Sequence, residues 1–400
     1  MKTVAVIGGG PAGLIAAEVL AQGGATVLVY DRKPSLARKF LMAGRGGLNL
    51  THSEDLDTFI ARYGAAAPRL APYIRDFPPQ ALRDWSAALG EETFVGSSGR
   101  VFPQSFKASP LLRAWQSRLI ALGVRFRLQH DWRGFADDGA LVFAKNNETP
   151  ETVTADATLL ALGGASWPRL GADGGWVGYL PEIKTNPFQP SNCGFTVAWS
   201  DIFRNKFAGQ PLKPVTLRFG GQQIAGEAML TATGIEGGAT YALSAALREA
   251  IAASGSAELI IDLKPGVTEP ALAERLQAPR RGRTLANFLR QEINLAPPAI
   301  GLMQEDRQVN HFAPAALAQR IKSCSVTLTG IAGIERAISS AGGIDWEELD
   351  DNLMLRRKPG VFAAGEMIDW EAPTGGYLLQ ACFATGVAAA KGILLFLNNK

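Results

Sequence analysis

The first thirty-one residues constrain this chain most. A short apolar run, Val4-Ala5-Val6-Ile7, leads into Gly8-Gly9-Gly10-Pro11-Ala12-Gly13, and an apolar helical stretch, Leu14 to Leu20, follows. A second apolar run, Ala25 to Tyr30, ends on Asp31. The order predicts a strand, a glycine turn, a helix and a strand with an acidic tip, which is the arrangement that binds the ADP half of a dinucleotide. Gly8 permits the tight turn, Gly10 lets the backbone approach a pyrophosphate, and Gly13 lets helix and strand pack closely. The helix start offers N–H groups and a positive dipole to phosphate oxygens. Asp31, at the spacing of about 20 residues that the pattern requires, can accept hydrogen bonds from a ribose.

The 400 residues allow two or three domains and a large core. Hydrophobic residues make up 47% and charged residues 19%, a globular rather than a disordered composition. Forty basic and 37 acidic residues leave a net charge of +3. That balance predicts neither a nucleic-acid partner nor a membrane surface. Cys193, Cys324 and Cys382 are odd in number and in no paired motif, so they predict neither a metal site nor a disulfide framework, and a cytoplasmic location fits. The apolar N-terminal stretch is broken by glycines and belongs to the nucleotide fold rather than to a signal peptide. The apolar stretch Ala381 to Leu397 carries Lys391 and reads as a buried helix, not a membrane span.

Farther along, helical periodicity appears over roughly 56–62, 79–89 and 110–122, and Gly123 to Leu128 alternates like a half-buried strand. The segments 135–143 and 151–153 suggest a short meander. Ala157 to Leu162 is continuously apolar and ends in Gly163-Gly164, as a parallel strand covered on both faces does. The character changes near Pro187. Alternating strands with glycine turns run from Asn192 to about Ala232, and helical patterns occupy 241–254 and 270–318. The predicted fold class is therefore α/β, a discontinuous Rossmann-like dinucleotide-binding domain over 1–188 and 336–400. It carries an inserted β-rich domain at 189–245 and 320–335, and an inserted helical domain at 246–319.

The tail distinguishes FAD from NAD. Val361 to Ala364 is followed by Gly365-Glu366-Met367-Ile368-Asp369 and then by Gly375-Gly376-Tyr377-Leu378. Such a strand delivers carboxylates to the sheet edge where ligands of open α/β folds bind. Asp369 can accept from a ribityl or pyrophosphate region. Gly375 and Gly376 let the backbone approach a flat ring at the start of the last helix, whose dipole favours negative charge on a reduced flavin.

These segments together resemble the bacterial two-insert flavoproteins of the glutathione-reductase superfamily, the group that includes aminoacetone oxidase and bile-acid and steroid reductases. The resemblance spans essentially the whole chain. It is carried by Gly8 to Gly13, by Arg38 to Thr51, by Ala161 to Pro168, by Glu227 to Ser244, and by Ala364 to Asp369 with Thr374 to Gln380. Departures from the family pattern mark a divergent subfamily: Leu48 stands in place of a cysteine, Leu162 of a threonine, Ala232 of a histidine, Gly238 of a proline and Leu378 of an asparagine. The resemblance implies an FAD-dependent oxidoreductase and places the loop after Lys39 near the flavin. Cofactor-binding candidates are thus Gly8, Gly10, Pro11, Ala12, Gly13, Asp31 and Arg32 at the first turn. Lys39, Gly46, Gly47 and Leu48 come from the second glycine loop, with Trp132, Gly163 and Gly164. Gly365, Glu366, Asp369, Gly375, Gly376, Tyr377 and Leu378 come from the tail.

FAD carries the redox chemistry, so the protein's part is orientation and electrostatics. Arg45 and Asn49 are candidates to orient a substrate, and Tyr377 to donate a proton. His52 lies next to this loop and can act as an acid or base. The expected reaction is hydride transfer through flavin N5 on a small or medium organic molecule. With a single dinucleotide fingerprint in the chain, NAD(P)H is expected at most as a transient donor. An amine or ketone oxidase using dioxygen is the alternative, as is a flavin protein of nucleic-acid modification. Arg280, Arg281 and Arg283 form the one basic cluster that bears on the latter.

Overall fold

The computed structural model describes residues 2–43, 46–145 and 150–399. The chain divides into two compact units, Met1–Gln189 with Ile338–Lys400, and Pro190–Ala337.

The first unit is built on a five-stranded sheet. Its order is Val361–Ala363, Ala157–Leu160, Thr3–Ile7, Thr26–Asp31, Arg125–Leu128, and every pairing is parallel. The first strand lies in the middle. The chain passes outward on one side of it and returns on the other, so a crevice opens at its carboxyl end, where open α/β sheets bind ligands. Val4, Ala5 and Val6 are fully buried. Their unbroken apolar run follows from cover on both faces, which removes any solvent side that alternation would serve.

Two glycines set the geometry of the first turn. Gly8 has φ +109, and a Cβ there would lie 2.2 Å from Ala161 O. A Cβ on Gly13 would lie 2.0 Å from Gly8 O, so only glycine lets the first helix, Pro11–Gln22, sit this close to its strand. Pro11 starts that helix at a position whose N–H has no intrahelical partner anyway. The C-terminal helix, Tyr377–Asn398, crosses the first helix at Gly386, where a Cβ would lie 2.5 Å from Ala12 O. It is long and apolar enough by composition to cross a bilayer, but 67% of its most apolar window is buried in the fold.

Behind the first helix, Glu18 is 3% exposed. Its carboxylate accepts from Trp115 Nε1 at 2.7 Å, Trp85 Nε1 at 3.1 Å and Arg118 Nη1 at 3.1 Å. A buried charge persists only when paired and hydrogen-bonded in this way. A small antiparallel sheet, ordered Thr51–His52, Arg100–Pro103, Thr93–Val95, flanks the core. Alternation places Thr51 and Val101, both fully buried, on one face, with Phe94 opposite Phe102 on the other.

The second unit holds a seven-stranded antiparallel sheet whose central strands are Pro211–Phe219 and Gln222–Leu230. The span 246–319, expected to be a separate helical domain, does not stand apart. Ala257–Asp262 is a strand that pairs with both Pro211–Phe219 and Cys324–Leu328. Its alternation of buried and half-exposed residues marks it as sheet. The helices of this span share one apolar cluster with the sheet. The expected helical stretch 270–318 is broken by local chemistry. Thr284 caps one helix by accepting from Asn287 N at 3.3 Å, Asn294 ends it at φ +48, and Pro297 begins the next.

Two stability predictions follow from this packing. Gly13→Val drives a branched side chain into Gly8 O and should cost about 3 kcal/mol or more, in the upper range for overpacking, read as a lower midpoint in urea unfolding. Glu18→Leu leaves two buried indole N–H groups unsatisfied and should cost about 3 kcal/mol, while Glu18→Gln, which keeps an acceptor, should lose clearly less in the same assay.

Candidate cofactor and active site

The crevice at the end of the first strand is a cavity with about 880 Å³ of empty space, its open mouth included. Gly8, Gly10, Pro11 and Ala12 form its floor. Gly10 is extended, at φ −84 and ψ −178, and caps the first helix with no side chain. A Cβ at Gly10 would meet nothing within 4 Å. That contrast separates the floor glycine with open space at its Cβ position from Gly8 and Gly13, whose Cβ positions are filled by backbone. Gly13 is buried beneath the floor.

Asp31 closes one end of the floor. Its Oδ2 accepts from Gly9 N at 2.9 Å and its Oδ1 from Lys33 N at 2.8 Å. Burial raises its pKa, and these two N–H groups, Arg32 and Lys33 offset only part of that rise. The carboxylate thus braces the turn, and its oxygens keep lone pairs for a ligand. Arg32 also lines the wall, but its guanidinium is held by Asp173 Oδ2 at 2.8 Å and by Gly171 O. Its role is to fix the Gly171–Asp173 segment. Trp132 lines the same end, and its buried Nε1 has no hydrogen-bond partner among the described residues.

Lys39, Gly163, Gly365 and Glu366 form the opposite wall. Lys39 Nζ donates to Glu366 Oε2 at 2.7 Å, Glu366 Oε1 at 3.0 Å and Ser166 Oγ at 2.6 Å. Glu366 Oε1 also accepts from Ser340 N at 2.9 Å. The pair is electrically neutral and its polar atoms are satisfied, which is what a half-buried ion pair requires. Gly163 O accepts from Trp176 Nε1 at 2.9 Å. Gly164 packs against Ser340, where a Cβ on it would lie 1.8 Å from Ser340 Oγ. Asp369 lies outside the residues that line the cavity, and Asn186 Nδ2 donates to it at 2.6 Å and Gly342 N at 3.1 Å. Cys382 does reach the wall, but burial pushes its thiol up to about 12, so it stays a neutral, unreactive group.

A second cluster lies at the start of the C-terminal helix. Tyr377 is five residues before Cys382, about 8 Å along the helix axis from the cavity wall. Gly375 and Gly376 have φ +135 and +93, and a Cβ on Gly376 would lie 2.5 Å from Thr51 Cα. The glycine turn therefore rests on the Thr51 backbone, beside the loop that carries Gly46 to Asn49. Gly46 has open space around it, and Gly47, at φ +105, lies against the Phe106 ring. Leu48 is fully buried, and its N–H donates to Phe106 O at 2.9 Å. Leu378 is half-buried. Asn49 Oδ1 and Thr51 Oγ1 are buried and have no partner among the described residues. Arg45, expected to orient a substrate, lies outside the described residues.

Tyr377 differs from the expected proton donor. Its hydroxyl already donates to Glu54 Oε1 at 2.6 Å, and Arg62 Nη2 donates to Glu54 Oε2 at 2.8 Å. Burial, then Glu54, holds the phenol well above its ordinary range, so it stays protonated. Burial tends to raise the Glu54 pKa, but the hydrogen bonds from Arg62 and Tyr377 outweigh it and keep the carboxylate ionised. The ring of His52 stacks on Tyr377 at 5.6 Å. Its Nε2 lies 3.0 Å from Ser98 O, and its Nδ1 accepts from Glu54 N at 3.2 Å, a network that assigns the neutral tautomer protonated on Nε2. Sequence reasoning did not find Glu54, Ser340 or His130, which also lines the cavity. Ser166 alone carried a signal, inside the Gly163-to-Pro168 motif.

The fit to FAD is therefore specific. An open glycine floor at a helix start suits a pyrophosphate, and a braced carboxylate suits a ribose. A family model described as the HI0933-like protein Rossmann domain matches residues 2–392. The 3-dehydro-bile acid delta(4,6)-reductase of Clostridium scindens is 26% identical over 417 residues, 98% of each chain. The ribosomal RNA dihydrouridine synthase of Haemophilus influenzae is 25% identical over 419 residues, 97% of each chain. Among solved structures, the 3-ketosteroid delta1-dehydrogenase from Sterolibacterium denitrificans superposes with a TM-score of 0.56 at 14% identity, covering 99% of this chain and 100% of that one. The 3-ketosteroid-delta4-(5alpha)-dehydrogenase from Rhodococcus jostii RHA1 gives 0.52 at 15% identity, covering 99% and 97%. At such identities the solved structures share the fold. The family match runs over nearly the whole length, through every glycine turn described above, so the chain belongs to the HI0933-like Rossmann family as a divergent member and is an FAD-dependent oxidoreductase.

Proposed function

We propose that this protein is a reductase that saturates a carbon–carbon double bond conjugated to a carbonyl in a small or medium organic molecule, with NAD(P)H as a transient donor. The observation that carries the cofactor part is the open floor at Gly10 in one cavity with the Asp31 carboxylate. The reductive direction is supported by the full-length relative, a delta(4,6)-reductase. Bound FAD supplies two-electron hydride chemistry. The first-helix amides and Gly10 would hold its pyrophosphate, Asp31 its ribose, and the Gly46–Asn49 loop with the Gly375–Gly376 turn its ring.

The protein's own residues then act by exclusion and orientation. Three ion pairs hold charges at the site, Lys39 with Glu366, Arg32 with Asp173 and Arg62 with Glu54. Asn49 remains the candidate to orient a polar group. Tyr377, tied to Glu54, holds the glycine turn in place rather than supplying a proton. A ribosomal RNA substrate, the one named for the second relative, finds little support in the basic cluster. The Arg280 and Arg283 guanidiniums stack on Phe288 at 5.7 and 5.2 Å and are hydrogen-bonded to Asn310 O and to Gln291 and Glu292.

The purified protein should hold one non-covalent FAD. Asp31→Ala should weaken it by about 1–3 kcal/mol, the range for a lost hydrogen bond to a charged group, as measured by titration of apoprotein. Gly10→Val should lose FAD while the urea midpoint of the apoprotein stays unchanged, because its side chain enters open space. Equal FAD affinity in both variants would remove the cavity from the cofactor site. Anaerobic mixing with NADPH or NADH should bleach the visible flavin band within seconds. If neither nucleotide bleaches it while an amine or ketone does, the oxidase reading replaces this one.

A further inference from the structure

The Gly375–Gly376 turn has little rigidity of its own. Both glycines sit at positive φ, +135 and +93, where the backbone is permissive and no side chain anchors it. The turn opens the helix Tyr377–Asn398, whose first N–H groups have no intrahelical partner. Where those groups point depends on what fixes the turn. The fixing comes from the segment 51–63, whose side-chain bonds to Tyr377 span 314 and 323 positions of sequence.

Four contacts converge on Tyr377. Its hydroxyl donates to Glu54 Oε1 at 2.6 Å, and its carbonyl accepts from the Tyr63 hydroxyl at 2.7 Å. The Phe59 ring packs on the phenol ring at 4.7 Å, and the His52 ring stacks on it at 5.6 Å. A short helix, Leu56–Ala61, presents these groups together. Asp55 caps its start by accepting from Asp57 N at 3.0 Å and Thr58 N at 3.1 Å, so Glu54 stands just before the helix and Arg62 just after it. Arg62 returns to Glu54, donating from Nε to Oε1 at 3.2 Å and from Nη2 to Oε2 at 2.8 Å.

Packing alone does not account for this arrangement. Tyr377 is 4% exposed against a fully buried Phe59, so a phenylalanine at position 377 would fill the same space. The hydroxyl adds a direction. Its acceptor is a carboxylate, and hydrogen bonds to ionised acceptors are the shorter and stronger kind. The Glu54 side chain is only 13% exposed and is itself held by Arg62. The clamp therefore fixes the phenol, and with it the turn, in one position.

We propose that Glu54 is a positioning residue for the flavin ring: through the Tyr377 hydroxyl it fixes the Gly375–Gly376 turn, and so sets affinity for the ring half of FAD but not for the ADP half. This rests on the cofactor reading, in which the turn holds the ring. The ADP half meets the Gly10 floor and Asp31, in a cavity that neither Glu54 nor Tyr377 lines.

The test titrates the full-length apoprotein with FAD and, separately, with ADP. Glu54→Ala should weaken FAD by about tenfold or more, the loss expected for one hydrogen bond to a charged group, and leave ADP affinity unchanged. Tyr377→Phe keeps the ring packing, so it stays folded if the alanine variant does not, and should show the same split. The double variant should lose no more than the worse single one, because both changes cut one interaction. Glu54→Gln keeps an acceptor for the phenol and should retain most of the FAD affinity. Unchanged FAD affinity in both single variants overturns the proposal. So do equal losses for FAD and ADP, which mark a merely structural role, additive losses in the double variant, or a loss in Glu54→Gln as large as in Glu54→Ala. Failure of the cofactor reading is distinct, because the wild type would then bind neither FAD nor ADP, and it would overturn this proposal as well.

Discussion

The close approach of the first and last helices is the constraint on which the rest of the first unit depends. Gly13 brings the first helix against its strand at Gly8 O, and Gly386 brings the last helix against Ala12 O. With side chains at these points the helices would stand farther apart, and the Gly365 turn would no longer meet Ala12, where a Cβ on Gly365 would lie 2.8 Å from the Ala12 Cβ. The first and last turns of the nucleotide fold become one wall only because these small residues allow it. Glu18 anchors the far side of the same helix through two indoles and an arginine.

The polar groups of the site divide into two kinds. Several charged ones are spent on each other, Lys39 on Glu366 and Ser166, Arg32 on Asp173, and Glu54 on Arg62 and Tyr377. Others keep capacity for a ligand: the Asp31 oxygens and the free amides at the start of the first helix. Both suit a cofactor whose phosphates meet a helix start and whose ribose meets a carboxylate.

Much of the fold was legible in the sequence because the signals are local. The glycine turn, the buried runs Val4–Ile7 and Ala157–Leu160, and the antiparallel pair Pro211–Phe219 with Gln222–Leu230 declare themselves within a few residues by period and punctuation. Division of the inserted span failed because Ala257–Asp262 is short and lies between helices, and only its pairing with distant strands reveals it. In the site, the same limit holds. The fingerprint identifies Gly8, Gly10, Gly13 and Asp31, whose roles are set by neighbours in sequence. Lys39 meets Glu366 across 327 positions and Tyr377 meets Glu54 across 323. No local pattern reports that the phenol is already engaged, or that Asp369 is turned toward Asn186 and Gly342.

The sheet order carries a consequence for how the protein is made. The strand Val361–Ala363 is an edge of the parallel sheet and reaches it only after the whole of Pro190–Ala337 has been synthesised. Until then the ribosome presents a glycine turn with half a wall, and Lys39 stands without Glu366. The intervening unit has its own apolar cluster. The cavity wall that Gly365 and Glu366 supply is therefore among the last parts of the site to be synthesised.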